Sequence, residues 1–155
     1  MQNKNTFAFV EPGPLRDDDL ELRLIGTHLA NPRMGHSPSY TFEMCDVVAG
    51  QRAGRISVRI GCSDLLVLYA GQIGYGVEEA FRGRRFAARS CRLVLPLLKT
   101  HGINPLWITC NPDNMPSRRT CEILGAELIE IVDLPTDTEM YRYGERRKCR
   151  YRLEL

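Results

Sequence analysis

The chain has 155 residues, 43% of them hydrophobic and 26% charged, with a formal net charge of +2. That length suffices for one domain with its own core, and the composition indicates neither a disordered chain nor a membrane protein. No apolar run approaches the roughly 18 residues of a membrane span, the first residues lack a signal-peptide pattern, and so small a charge gives no general argument for nucleic-acid binding. The expectation is a soluble, cytoplasmic protein of a single domain, residues 1–155, without a membrane partner.

Strict apolar and polar alternation predicts half-buried strands at residues 20–24, 40–44 and 56–60. The glycine-containing stretch 49–54 reads as the turn between the second and third, so the three make an antiparallel meander. Residues 28–38, with two prolines and a glycine, read as a short helix or an open loop. In a fourth strand, 73–77, Ile73, Tyr75 and Val77 alternate with Gly74 and Gly76. Glycine weakens a strand, so the bare face is where a ligand or another backbone is expected to approach.

Helical spacing of Ala87, Cys91, Val94 and Leu98 predicts a helix, with Gly102 as its C-terminal cap and Pro96 as a kink. Residues 106–110 read as a buried strand. The turn-rich NPDN that follows caps a second helix from about Met115 to Leu124, stopped by Gly125. Strands at 126–132 and 149–155 complete an α+β domain: a mixed, mostly antiparallel sheet with a central βαβ unit and flanking helices. The six cysteines show no C-x-x-C spacing and fall in apolar patterns, so they read as reduced, several of them in the core, with no metal.

The chemistry is expected between the fourth strand and the first helix. A strand, then an arginine- and glycine-containing loop, then a helix N-terminus, is a physical site for phosphate, because free N–H groups and the positive end of the helix dipole face the anion. Neither G-x-x-x-x-G-K-[ST] nor G-x-G-x-x-G occurs in this loop, which argues against a nucleotide P-loop and a dinucleotide fingerprint.

The run FRGRRFA (81–87) resembles the acyl-CoA pyrophosphate loop of the GNAT acetyltransferase superfamily, Arg/Gln-x-x-Gly-x-Gly/Ala. IGYGV (73–77) and NPDNMPSRRTCEILGA (111–126) are similar to that superfamily's central strand and its second conserved helix, and the nearest likeness is to a predicted bacterial acetyltransferase branch. The resemblance implies a GNAT-like fold and an N-acetyltransferase that takes acetyl-CoA as acyl donor and a primary amine of a small molecule or peptide as acceptor.

The resemblance further implies that Arg82, Gly83, Arg84, Arg85, Phe86 and Ala87 hold the pyrophosphate. The pantetheine arm would lie along Tyr75, Gly76 and Val77 and touch Asn114 and Ser117, with N–H groups near Gly76 and Val77 polarising the thioester carbonyl. Capping of the second helix is the competing role for Asn114. Arg85 stands where the family has its first loop glycine, and either holds phosphate or crowds the loop. Cys121 occupies the place of the acidic tyrosine of many relatives; it reads either as the proton donor or as a core residue.

A family glutamate position is Gly71 here, beside the unionisable Gln72, and Glu78 and Glu79 read as turn residues facing solvent or Arg82. Acceptor recognition is assigned to the irregular segments 28–39 and 135–147, with Glu139, Tyr141, Tyr143 and Glu145 facing a cationic amine, although a homodimer contact would suit the same residues. Two other classes stay open. One is an acyl-CoA-binding module without transfer activity; the other, ranked last, is a nucleic-acid surface built on the two arginine clusters.

Overall fold

The alternating patterns of the N-terminal half become one antiparallel sheet in the computed structural model, which describes residues 7–155. Its strands run in the order β1 (Leu15–Asp17), β2 (Leu20–His28), β3 (Ser39–Asp46), β4 (Gln51–Arg59) and β5 (Ile73–Val77). Leu20, Leu22, Tyr40, Phe42, Met44, Ile56 and Val58 are buried together on one face. Each such side chain contributes about 1.5–3 kcal/mol when taken from water. The segment between β2 and β3 holds a short 3-10 turn, Pro32–Met34.

The turn between β3 and β4 is tighter than the expected 49–54. Asp46 Oδ1 accepts hydrogen bonds from the N–H groups of Val48 (3.0 Å) and Ala49 (3.1 Å), and β4 already begins at Gln51. Gly54 therefore lies inside a strand. A Cβ there would sit 2.2 Å from the carbonyl oxygen of Gly76, so this glycine marks close packing against β5.

After β5, helix α1 (Phe86–Thr100) continues through Pro96 and lays Phe86, Cys91, Val94 and Leu98 on the buried face. It leads into β6 (Leu106–Cys110), α2 (Met115–Leu124), β7 (Glu127–Asp133), a four-residue helix α3 (Glu139–Arg142) and β8 (Arg147–Leu153). The last three strands form a second antiparallel sheet in the order β6-β8-β7.

The central β5–α1–β6 crossover is present, and its two strands part instead of zipping into a ladder. Gln72 joins them at their start: its N–H donates to the Trp107 carbonyl (2.9 Å), and its Oε1 accepts from the Trp107 N–H (2.9 Å). Its Nε2 donates to the Gly61 carbonyl at 2.7 Å, so the fully buried amide is a structural clamp. Beyond it, the edge of β5 that faces β6 carries no ladder partner.

Candidate active site

Alternation along β4 and β5 determines which backbone groups that open edge offers. Arg59 N–H donates to the Gln72 carbonyl and Glu78 N–H to the Ala53 carbonyl, both at 2.8 Å. These bonds place the intervening pairs Ser57/Gly74 and Arg55/Gly76 in the hydrogen-bonded set. The N–H of Gly76 thus faces β4, while those of Tyr75 and Val77 face the gap. The expected pair of donors near Gly76 and Val77 becomes Tyr75 and Val77.

The two glycines of β5 have different jobs. A Cβ at Gly76 would meet nothing within 4 Å, so that position is open to an approaching ligand. A Cβ at Gly74 would lie 2.7 Å from Arg59 Nη2; the bare face at Gly74 is filled by an arginine of this chain.

A cleft of about 650 Å³ runs from the β5 edge over the following loop to the start of α2. It is lined by Tyr75, Gly76, Val77, Arg82, Gly83, Arg85, Phe86, Ala87, Asn114 and Ser117, ten of the residues expected to bind the cofactor. Phe81, Pro116, Arg119, Thr120 and Ile123 complete it, and these the sequence reading missed. The signal was available: Ser117, Thr120 and Ile123 follow Asn114 at three-residue intervals and so share a helix face.

Arg84 lies outside the cleft. Its guanidinium pairs with Asp46 Oδ2 (2.6 Å) and with Asp19, and it covers the Phe86 ring at 4.6 Å. Arg89 adds Asp17 (2.7 Å) and Asp19 (2.6 Å). Hydrogen bonds from Arg89 and Arg84 hold the Asp19 carboxyl down to about 2. Arg84 is therefore a clamp that fastens the loop to the first sheet, with its charge already answered by carboxylates.

Arg85 takes the left-handed conformation, φ 58° and ψ 29°, at the N-cap of α1. It thus reproduces the backbone shape that a glycine would adopt at lower cost, and its side chain lines the cleft. Arg82 Nε donates to the Val77 carbonyl at 3.2 Å, tying the loop to the open strand edge. Glu78 pairs with Arg52 rather than Arg82, at 3.3 Å. Asn114 does cap α2, its Oδ1 accepting from the Ser117 N–H at 3.2 Å, and both residues also face the cleft.

Cys121 is fully buried beneath α2 and contributes nothing to the cleft wall. Burial pushes its thiol up to about 12. The donor role expected for it would have to act through a neighbour, Tyr75, which lines the cleft and meets the thiol. Tyr75 is among the cleft residues; its hydroxyl lies 2.9 Å from Ser117 Oγ, and burial raises its pKa above the ordinary tyrosine value.

A second cavity, about 880 Å³, brings together the two segments expected to recognise the acceptor. His28, Met34 and His36 come from the first, and Asp137, Glu139 and Glu145 from the second. Tyr141 instead stacks under the Arg146 guanidinium at 3.8 Å, and Tyr143 is exposed; neither lines the cavity. All six cysteines are free and five are buried. Among the described residues, no cluster of three or more His, Cys, Asp or Glu side chains is placed to hold a metal, and no helix is long and apolar enough to cross a membrane.

The model of the acetyltransferase (GNAT) domain family matches residues 1–127. The chain belongs to that family of acetyltransferases. No curated protein matches it. Among solved structures, a putative ribosomal-protein-serine acetyltransferase from Vibrio cholerae superimposes with a TM-score of 0.66 at 12% identity, over 94% of this chain and 100% of that one. RimL, a ribosomal L7/L12 alpha-N-protein acetyltransferase in complex with coenzyme A, gives 0.66 at 14%, covering 92% and 98%. The microcin C7 self-immunity acetyltransferase MccE, solved with acetyl-CoA and AMP, gives 0.58 at 18%, covering 76% of this chain and 61% of its own. At such identities these structures share the fold with this GNAT chain.

Proposed function

We propose that this GNAT domain transfers the acetyl group of acetyl-CoA to a primary amine by direct attack on the thioester. The observation that carries the reading is the convergence of three features on one cleft: the unpaired edge of β5, the loop from Arg82 to Ala87 at the start of α1, and the N-terminus of α2. Arg82 and Arg85 supply charge for a pyrophosphate beside the free N–H groups of α1. Gly76 leaves space for the pantetheine arm, and the outward N–H groups of Tyr75 and Val77 suit its amides and the thioester carbonyl.

Acetyl-CoA supplies the activated acyl group; the chain's residues orient it and stabilise charge. As the carbon–sulfur bond breaks, Tyr75 donates a hydrogen bond to the departing sulfur as a neutral phenol, the state its raised pKa preserves. The cleft wall contains no Asp, Glu or His, so the amine loses its proton to water or arrives neutral. The absence of a base from that wall and the burial of Cys121 also favour a second reading, an acyl-CoA-binding module without turnover.

Release of the CoA thiol from acetyl-CoA, followed with and without a pool of primary amines and peptides, separates the two. Acceptor-dependent release with an Arg82→Ala variant of raised KM for acetyl-CoA supports the transferase. Tight acetyl-CoA binding with no acceptor-dependent release across the pool supports the binding module.

A further inference from the structure

The second cavity contains an arginine, Arg59, whose charge no carboxylate of the described residues answers. Arg150, Arg84 and Arg89 each meet a carboxylate, Arg150 through Glu130 at 2.6 Å. Lys148, in the same cavity as Arg59, is paired with Glu145 at 3.3 Å. Arg59 has no carboxylate partner among the described residues. Its Nη1 donates to the carbonyls of Ala70 (3.1 Å) and Gly71 (3.0 Å), which hold the guanidinium on the floor of the cavity. Among the described residues no acceptor bonds its Nε or Nη2, leaving one edge of the fork available.

Sequence and fold both make room for this group. Gly74 lacks the Cβ that would strike Nη2, and Ser57, its partner across the ladder, keeps the neighbouring side chain small. A partly desolvated cation without a counter-charge is unfavourable unless a ligand supplies that charge. A planar carboxylate fits the free edge through two parallel hydrogen bonds.

We propose that Arg59 is the specificity-determining residue of the acceptor site and binds a carboxylate of the amine that is acetylated. The inference rests on the transferase reading above. Gly74, against which the guanidinium lies, is two residues from Gly76, about 7 Å along a strand. That spacing selects acceptors whose amine and carboxylate are a few ångströms apart, which are small amino acids or a short peptide bearing a side-chain or terminal carboxylate. Glu139 and Asp137 at the rim attract the cationic end of such a molecule during approach.

The test uses the whole protein and a homologous series of amino carboxylates, from glycine to 5-aminopentanoate, with diglycine and the matching amides. Each is titrated by calorimetry with and without saturating CoA. At least one carboxylate should bind saturably and at least tenfold more tightly than its amide. Arg59→Gln should erase that preference, and Arg59→Lys should restore it in part. Equal binding of acid and amide, or no saturable binding by any carboxylate, overturns the proposal; this comparison in the unaltered protein stands even if the variants fold poorly. Acetyl-CoA affinity is measured separately, and its absence would count against the transferase reading while the titrations without CoA still judge Arg59.

Discussion

Replacing Arg85 with glycine separates what its backbone does from what its side chain does. The residue is held at φ 58°, where an L-residue pays roughly 1–2 kcal/mol relative to right-handed geometry. Glycine removes that strain but loses about 0.5–1 kcal/mol more conformational entropy on folding. The net is a gain of up to about 1.5 kcal/mol, or roughly 3–6 °C in Tm for a chain of this size. The same change deletes one charge-assisted contact to phosphate at an exposed loop, which we set at about 1.4 kcal/mol, a tenfold loss of acetyl-CoA affinity. Arg85→Ala is the partner variant: it keeps the strained backbone and loses the same charge. Thermal melts and calorimetry should therefore show Arg85→Gly melting above Arg85→Ala, with equal losses of affinity. Identical melting temperatures would refute the backbone argument, and undiminished acetyl-CoA binding in both variants would refute the assignment of Arg85 to the anion.

Tyr75→Phe should slow turnover by roughly 10- to 100-fold, the worth of a hydrogen bond to a charged group, with acetyl-CoA affinity nearly unchanged. Cys121→Ala should leave kcat intact and lower stability by about 1 kcal/mol, as deletion of a buried methylene-sized group does; a large fall in kcat in steady-state assays would return Cys121 to the chemistry. Gly54→Ala should destabilise by about 1–3 kcal/mol through overpacking, whereas Gly76→Ala should fold as well as the parent in denaturant titrations. The Asp19 carboxyl, held down to about 2, lies below the unfolded value of about 3.9. Its contribution is therefore present above about pH 4 and lost as pH falls towards 2, and Asp19→Asn should flatten that limb of a Tm-against-pH profile.

The pattern of apolar residues was sufficient to read every long element, because alternation at 20–24, 40–44 and 56–60 and helical spacing from Ala87 reflect a single buried face each. The short pieces were illegible for the opposite reason. The helical turn at Leu65–Ala70 is fastened by contacts distant in the chain, those from Arg150 to the Val67 carbonyl, and helix α3 is only four residues long and capped locally by Thr138, so both carry little pattern of their own. Glycines misled where their reason was a neighbour: Gly54 reads as a turn residue but yields to the Gly76 carbonyl, and Gly74 reads as ligand space but accommodates Arg59. In the site, ten of the fifteen cleft residues were readable from the loop and helix motifs. Arg84 and Arg85 are adjacent and chemically identical, and only the carboxylates of Asp19 and Asp46, far away in sequence, assign one to the clamp and leave the other to the cleft.

The central claim is that the cleft beside β5 receives acetyl-CoA, and calorimetric titration of the protein with acetyl-CoA, with ATP as the anion control, tests it most directly. The account predicts saturable binding of acetyl-CoA, weakened in Arg82→Ala, and no comparable binding of ATP. An absence of acetyl-CoA binding, or equal affinity for both, would contradict it.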